Sequence, residues 1–381
     1  MVFPKKYRML FVNPPARVNK DIPNLGIAYA ATYFKTKVVD LNTMPEPRNR
    51  FLKYKTDVLG ISVQSRTFSV SKKIAEIYKK KYPNAKVKSI KGFLDVQCCY
   101  PYVDFEQTIE YKEPFSDKYL FPNYELFDSF ELFQKNWEKG RWGYGIMTAL
   151  GCPFQCNYCQ SSNRKWRARS PENCYEELKQ AKEKWNIKKF HILDDCFNVN
   201  KQRVLEFCRL VKKLNLTWSC SNGLRADIFD EDIARALYES GCKYINFGIE
   251  SSSPKVLKAI NKGETIEQIE KAIATAKKYS DGVSGFFILA LPGSSYETDK
   301  KTIEWVKKQK INANFSYYVP FDKEMQFDKI FYGDNAQPVA DTYSKSKQKE
   351  LYEKSISLRS WQNKRIVLRK VKRKLIKILT K

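Results

Sequence analysis

Histidine is nearly absent from this chain. Of 381 residues only His191 is one, inside a strand-like run, so a zinc knuckle completed by imidazoles has nothing to draw on. Long apolar runs are missing as well, and none approaches the roughly eighteen residues of a membrane span. The opening "MVFPKKYRMLFVNPP" holds a short apolar run but no small-residue cleavage site, so no signal peptide is expected. Ten cysteines, unevenly clustered and without an export signal, fit a reducing cytoplasm better than a disulfide scaffold. Acidic residues are missing from the tail: Arg359 to Lys381 carries ten Lys or Arg and no Asp or Glu.

What is present is ample for folding. Hydrophobic residues make up 43% and aromatics 14%, which excludes a globally disordered chain. The net charge of +27 favours anionic partners, or it is lysine spread over solvated faces.

The first hundred residues alternate in period. "YRMLFVNPP", "KVVDL", "DVLGISVQS" and "KVKSI" read as strands, with "LGIAYAATYFKT" and "SVSKKIAEIYKKKYPNA" as helices between them. Apolar strands separated by helices predict a doubly wound parallel sheet over residues 1–115. Around "YKEPFSDKYLFPNYELFDSF" the pattern fails, which suggests an ordered linker at 116–140. From 141 to 325 the alternation resumes as six βα-type units. Six is short of the eight that close a full barrel, so an open (β/α)6 barrel is expected, with reactive groups at the C-terminal strand ends. Residues 326–381 form a basic helical extension. Its Val367, Val371, Leu375, Ile378 and Leu379 give one apolar stripe, fit either for packing on the barrel or for weak association with an anionic membrane surface.

"MTALGCPFQCNYCQSSN" sets Cys152, Cys156 and Cys159 in a C-x3-C-x2-C spacing with no fourth cysteine nearby. Buried thiols, or a zinc site completed by a distant ligand, are the plain readings. A cubane iron–sulfur cluster is the better one: three thiolates hold three irons and leave the fourth open. "HILDDCF" ends a strand in Asp194 and Asp195, a costly place for two carboxylates unless they meet something positive, although Asp195 could instead cap a helix. "SNGLRAD" supplies Asn222 and Arg225, whose fork suits a carboxylate but could equally pair at the surface with Asp227 or Asp230. "NFGIESSS" puts Glu250 and Ser251 at a strand end, and "GFFILALPGSSYE" places Ile288 before a Pro292-Gly293 turn. His191, Cys174 and Cys208 read as core. Cys196 and Cys220 lie near strand ends, where a part in substrate chemistry is conceivable.

From Tyr144 to Phe321 these motifs resemble, in order, those of the radical S-adenosylmethionine (SAM) enzymes, including the aromatic Tyr158 before the last cysteine. The resemblance implies a [4Fe–4S] cluster on Cys152, Cys156 and Cys159, with SAM bound at the open iron and cleaved to a 5′-deoxyadenosyl radical. It also implies Asp194 or Asp195 on the SAM amine, Glu250 and Ser251 on its ribose or methionine part, and Ile288 against adenine. An external electron donor such as flavodoxin or ferredoxin would be needed.

The N-terminal sheet resembles the Rossmann-like cobalamin-binding domain that precedes many such cores. It departs from that pattern: no histidine exists in residues 1–190, Lys91-Gly92 stands where Gly-Gly is expected, and Gly92 to Glu110 looks shortened. Cobalamin binding and a degenerate domain kept for packing or substrate contact both remain open. Methyl transfer to a small or lipid-like intermediate is the first expectation. Cobalamin-independent oxidation, cyclisation or rearrangement is the second, and a basic nucleic-acid- or membrane-binding protein with a structural metal is the rival from another class. No nucleic acid is favoured as partner. Methylthio transfer to tRNA is disfavoured, because Cys98-Cys99 is no second cysteine trio.

Overall fold

The computed structural model describes residues 8–15, 22–43, 49–63, 67–90, 108–109, 115–320, 338, 340–356 and 358. Five short strands carry the N-terminal sheet: β1 (Met9–Asn13), β2 (Val38–Asp40), β3 (Val58–Ile61), β4 (Lys86–Ile90) and β5 (Thr108–Ile109). They lie in the order β2-β1-β3-β4-β5, and each neighbouring pair is parallel. Apolar runs such as "MLFVN" and "VLGI" suit this position, because parallel strands lose water from both faces. Two helices cross between strands. In α1 (Leu25–Phe34) Asn24 caps the start through the Ile27 amide, and Lys35 ends the helix in the left-handed region. The second, α2 (Phe68–Lys81), presents Ile74 and Tyr78 to a core of Leu10, Val12, Val39, Leu59, Ile61 and Val87. Strand order reverses between β1 and β3, the switch point of a doubly wound sheet.

The stretch without sequence periodicity is ordered by rings. A 3-10 turn at Tyr124–Leu126 and α3 (Phe130–Glu138) bring Tyr124 within 5.2 Å of Trp137, 5.6 Å of Tyr144 and 5.8 Å of Trp185, centroid to centroid. Edge-to-face aromatic contacts, rather than a binary pattern, hold this part of the chain.

The later strands are β6 (Tyr144–Ile146), the antiparallel pair β7 (Ala149–Leu150) and β8 (Arg167–Ala168), then β9 (Lys189–Ile192), β10 (Thr217–Cys220), β11 (Tyr244–Glu250), β12 (Gly282–Leu289) and β13 (Asn312–Tyr317). Helices α4 (Pro171–Trp185), α5 (Lys201–Val211), α6 (Glu231–Glu239), α7 (Pro254–Ala259), α8 (Ile266–Tyr279) and α9 (Tyr296–Gln309) alternate with them. Local caps fix the starts. Ser170 precedes Pro171 at α4, and Thr265 with Gln268 and Ser295 with Thr298 close capping boxes at α8 and α9. Two three-stranded sheets result, β10-β9-β6 and β11-β12-β13, with a parallel bridge between Leu224 and Phe247. Six strands, β6 and β9 to β13, alternate with helices as expected, and the α/β class read from the sequence is the class observed.

By contact density the chain divides into two units that interleave along the sequence, the boundary running through β9. One comprises Met1–Leu150, Arg167–Phe190 and Phe321–Asp334, the other Gly151–Trp166, His191–Pro320 and Asn335–Lys381. Within the second, residues 345–356 are helical and Tyr352 stacks on Tyr317 at 4.8 Å. The apolar stripe expected at Val367 to Leu379 lies outside the described residues. No helix among those described is long and apolar enough to cross a membrane.

Candidate active site

Gly151 opens the cysteine loop at φ +87°, and a Cβ there would stand 2.4 Å from the Lys165 carbonyl. The loop then closes on itself. The Asn163 amide donates to the Phe154 carbonyl at 2.7 Å, Arg164 to Cys152 at 2.9 Å, and Cys159 to Cys156 at 3.2 Å. A second segment pins it from outside. The Asn157 amide reaches the Ile260 carbonyl at 3.1 Å, its side chain the Ala259 carbonyl at 2.9 Å, and Asn261 Nδ2 the Gln155 carbonyl at 2.9 Å.

Cys152, Cys156 and Cys159 are free thiols on this loop. Burial pushes Cys159 up to about 11, with Cys152, Cys156 and Glu250 adding to it. Burial likewise raises Cys156, while Lys262 and Arg225 oppose. A hydrogen bond from the Cys196 thiol draws Cys152 down to about 7. Among the described residues no three His, Cys, Asp or Glu side chains converge as they would around a single ion. A cubane, with its irons set apart, takes thiolates from a wider ring. Beside Cys159, the buried Nε2 of Gln160 has no acceptor among the described residues, as does Nε1 of Trp166. Three free thiols on one loop, two buried cations and two unmatched donors suit an anionic iron–sulfur group, whose thiolate ligands cations favour.

The structure places the other expected residues with differing results. The Tyr158 hydroxyl donates to the Glu250 carboxylate. Glu250 ends β11 in the left-handed region at φ 68°, where the pairing with β12 slips by one residue. A non-glycine residue held there costs about 1–3 kcal/mol, which the surrounding contacts must offset. Asp195 does not cap α5. That cap is Asn200, through the Arg203 amide, whereas Asp195 Oδ2 accepts the Gly151 amide at 2.9 Å and ties down the start of the cysteine loop. Asp194 is buried, and Asn222, although exposed, donates to the Leu193 and Asp194 carbonyls at 3.0 Å. Ile288 stands on the half-open face of β12 with Ser284 and Phe286. Ser251 is buried; its hydroxyl accepts the Ser253 amide and faces Thr302 on α9.

Arg225 departs most from expectation. Its fork is bidentate with Asp227 at 2.9 Å, its Nη1 donates to the Lys262 carbonyl at 3.1 Å, and its guanidinium lies 3.7 Å from the Phe154 ring centroid. The pairing with Asp227 was foreseen as a surface contact, but it is largely buried. Asn198 brackets the Arg225 backbone with two hydrogen bonds. Sequence reasoning missed Asn198, Lys262 and Glu264. Lys262 and Glu264 fall in the short turn between α7 and α8, where no periodicity or motif marks them. His191, read as core, is half-buried and bonded to Ser219 at 2.8 Å.

Residues 146–306 match the Radical SAM superfamily. An uncharacterized methyltransferase of Pyrococcus horikoshii is 38% identical over 182 residues, covering 46% of this chain and 39% of its own. Cytidylyl-2-hydroxyethylphosphonate methyltransferase of Streptomyces wedmorensis is 30% identical over 151 residues, covering 39% and 28%. The chain thus spans well under half the length of either relative. Among solved structures, the radical S-adenosylmethionine methyltransferase TsrM of Kitasatospora setae superposes with a TM-score of 0.65 at 14% identity, covering 82% of this chain and 73% of TsrM. The cobalamin-dependent S-adenosylmethionine radical enzyme OxsB gives 0.63 at 16%, covering 94% and 56%. At such identities the likeness is one of fold. The cysteine loop, the strand order behind it and the family match agree: the chain carries a radical SAM domain over residues 146–306.

Proposed function

We propose that this chain is a radical SAM enzyme whose Cys152, Cys156 and Cys159 hold a [4Fe–4S] cluster. Bound there, the cluster would supply one electron to SAM and so release a 5′-deoxyadenosyl radical, which abstracts hydrogen from substrate. The observation that carries this reading is the pinned loop itself, three free thiols on one closed loop with buried Arg225, Lys262 and Glu250 acting on them. Tyr158 and Glu250 are offered as the contacts for the methionine and ribose part, Asp194 for the amine, and the Ile288 face for adenine. Asn222 steadies the Asp194 backbone, and Asp195 fixes the loop entrance. The electron would come from an external donor such as flavodoxin or ferredoxin.

Methyl transfer to a small-molecule or lipid-like intermediate is the reaction we infer, supported by relatives named methyltransferases and by a fold shared with TsrM and OxsB. Cobalamin would then sit on the N-terminal sheet. A second reading, radical chemistry without cobalamin, is favoured by the lack of any histidine before His191. Anaerobic reconstitution separates the possibilities. A [4Fe–4S] spectrum and 5′-deoxyadenosine on reduction with SAM are expected, and both should vanish in Cys156→Ala. A variant that still cleaves SAM would sink the proposal. Co-purifying corrinoid absorbance selects the methyl-transfer reading over the second.

A further inference from the structure

Lys262 is a lysine where lysines are rarely found: 6% exposed, between two acids, behind the cysteine loop. Its Nζ lies 3.2 Å from Glu264 Oε2 and 3.7 Å from Glu250 Oε1. The approach to Glu264 Oε2 lacks hydrogen-bond alignment, so it is an ion pair by distance alone. Glu264 is occupied on its other side, where Oε1 accepts the Ala226 amide at 2.6 Å. The Lys262 carbonyl meanwhile accepts the Cys156 thiol at 4.0 Å and Arg225 Nη1 at 3.1 Å. One residue therefore touches the cysteine loop with its backbone and places a full positive charge behind it.

Burial works against that charge, but Glu264 and Glu250 more than offset it, and the ammonium holds its proton more tightly than an ordinary lysine. In a medium of low dielectric such a charge acts strongly on its neighbours. Arg225 is bidentate with Asp227 and comes only to 4.0 Å from Glu264 Oε1, so Lys262, at 3.2 Å from Glu264 and 3.7 Å from Glu250, is the nearer cation to Glu264 and is paired with both acids.

We infer that Lys262 is a positioning residue for the cysteine loop, whose buried ammonium, set by Glu264, raises the reduction potential of the cluster bound there. The inference rests on the radical SAM reading. Adding an electron makes the cluster more negative, so a nearby cation favours the reduced state and a nearby anion disfavours it. Removing the charge of Lys262 and removing that of Glu264 must then move the potential in opposite directions. A merely structural pair would loosen the loop the same way in both variants.

The test is an electron-paramagnetic-resonance redox titration of the reconstituted full chain without SAM, comparing native protein with Lys262→Gln, Lys262→Arg and Glu264→Gln. Lys262→Gln should shift the reduction equilibrium about tenfold toward the oxidised form, ~59 mV for a one-electron couple. Glu264→Gln should shift it the other way, and Lys262→Arg should stay near native. Unmoved potentials, or shifts of one sign in both charge-removing variants, overturn the inference. Should Lys262→Gln take up no iron, the direction of Glu264→Gln decides alone. A native chain that forms no cubane cluster at all would instead overturn the function proposed above, and this inference with it.

Discussion

Arg169 is buried to 1% exposure and spends every arm of its guanidinium. Nε donates to Asn173 at 2.7 Å, and Nη1 reaches the Met147 carbonyl at 3.1 Å and Glu177 Oε2 at 2.5 Å. The other oxygen of Glu177 accepts the Tyr144 hydroxyl at 2.9 Å. Burial pushes the Glu177 carboxyl up, and Arg169 holds it down. Arg169→Met would leave that carboxylate buried with one partner, a change that typically costs about 3–5 kcal/mol. Urea denaturation should show a loss of that size, and a loss below ~1 kcal/mol would mean that the pair is not held as described. Nothing in the sequence around "RARSPENCYEE" announces this pair, because the two residues are brought together by a strand-to-helix turn rather than by a motif. The same holds at the site. Cys152, Cys156, Cys159 and Tyr158 could be singled out because their spacing is local along the chain. Lys262 and Glu264 could not, since their meaning depends on a loop about a hundred residues away.

Among elements, the strands were legible because parallel strands must be apolar on both faces, and the long helices because their caps and periods agree. The short pieces were not. α3, α7 and the β7–β8 pair are too brief for a period, and α3 is held by Phe133 and Trp137 in the ring cluster. The C-terminal end of β12 depends on a later segment in the same way. Ala290 sits there at φ 62°, its amide bonded to Asp299 Oδ2 at 2.8 Å and its carbonyl to Thr342 at 2.7 Å, while the Tyr343 hydroxyl reaches the same Asp299 oxygen at 2.6 Å. Tyr343→Phe removes a hydrogen bond to a carboxylate and should cost about 1.5–3 kcal/mol at neutral pH. Burial holds the Asp299 pKa above its usual value, so the folded state keeps the proton longer than the unfolded chain. Stability from this group is therefore greatest below the unfolded pKa and falls as pH rises through the folded one. The Tyr343→Phe deficit should shrink in acid, where the carboxyl is already protonated. Denaturation midpoints across pH would reveal it, and a deficit that grew in acid would contradict the arrangement.

At the scale of the molecule the dominant fact is charge, +27 over 381 residues. From Arg359 onward the sequence mixes ten Lys or Arg with Val, Ile and Leu and holds no Asp or Glu, and the apolar stripe expected of it as a helix would suit an anionic surface. Deleting Ile366–Lys381 should reduce co-sedimentation with vesicles rich in anionic lipid, most visibly at low salt. Binding unchanged by the deletion would leave the stripe to a packing role. The pinning of the cysteine loop has a consequence in time as well as in space. The bond between Asn261 and Gln155 joins residues 106 positions apart. At about 5–20 residues per second, a ribosome delivers the second partner roughly 5–20 seconds after the first. Through that interval the three thiols emerge without the segment that fixes their spacing. Iron delivered during synthesis would meet an unformed seat, so loading belongs after residue 262 has been made and folded.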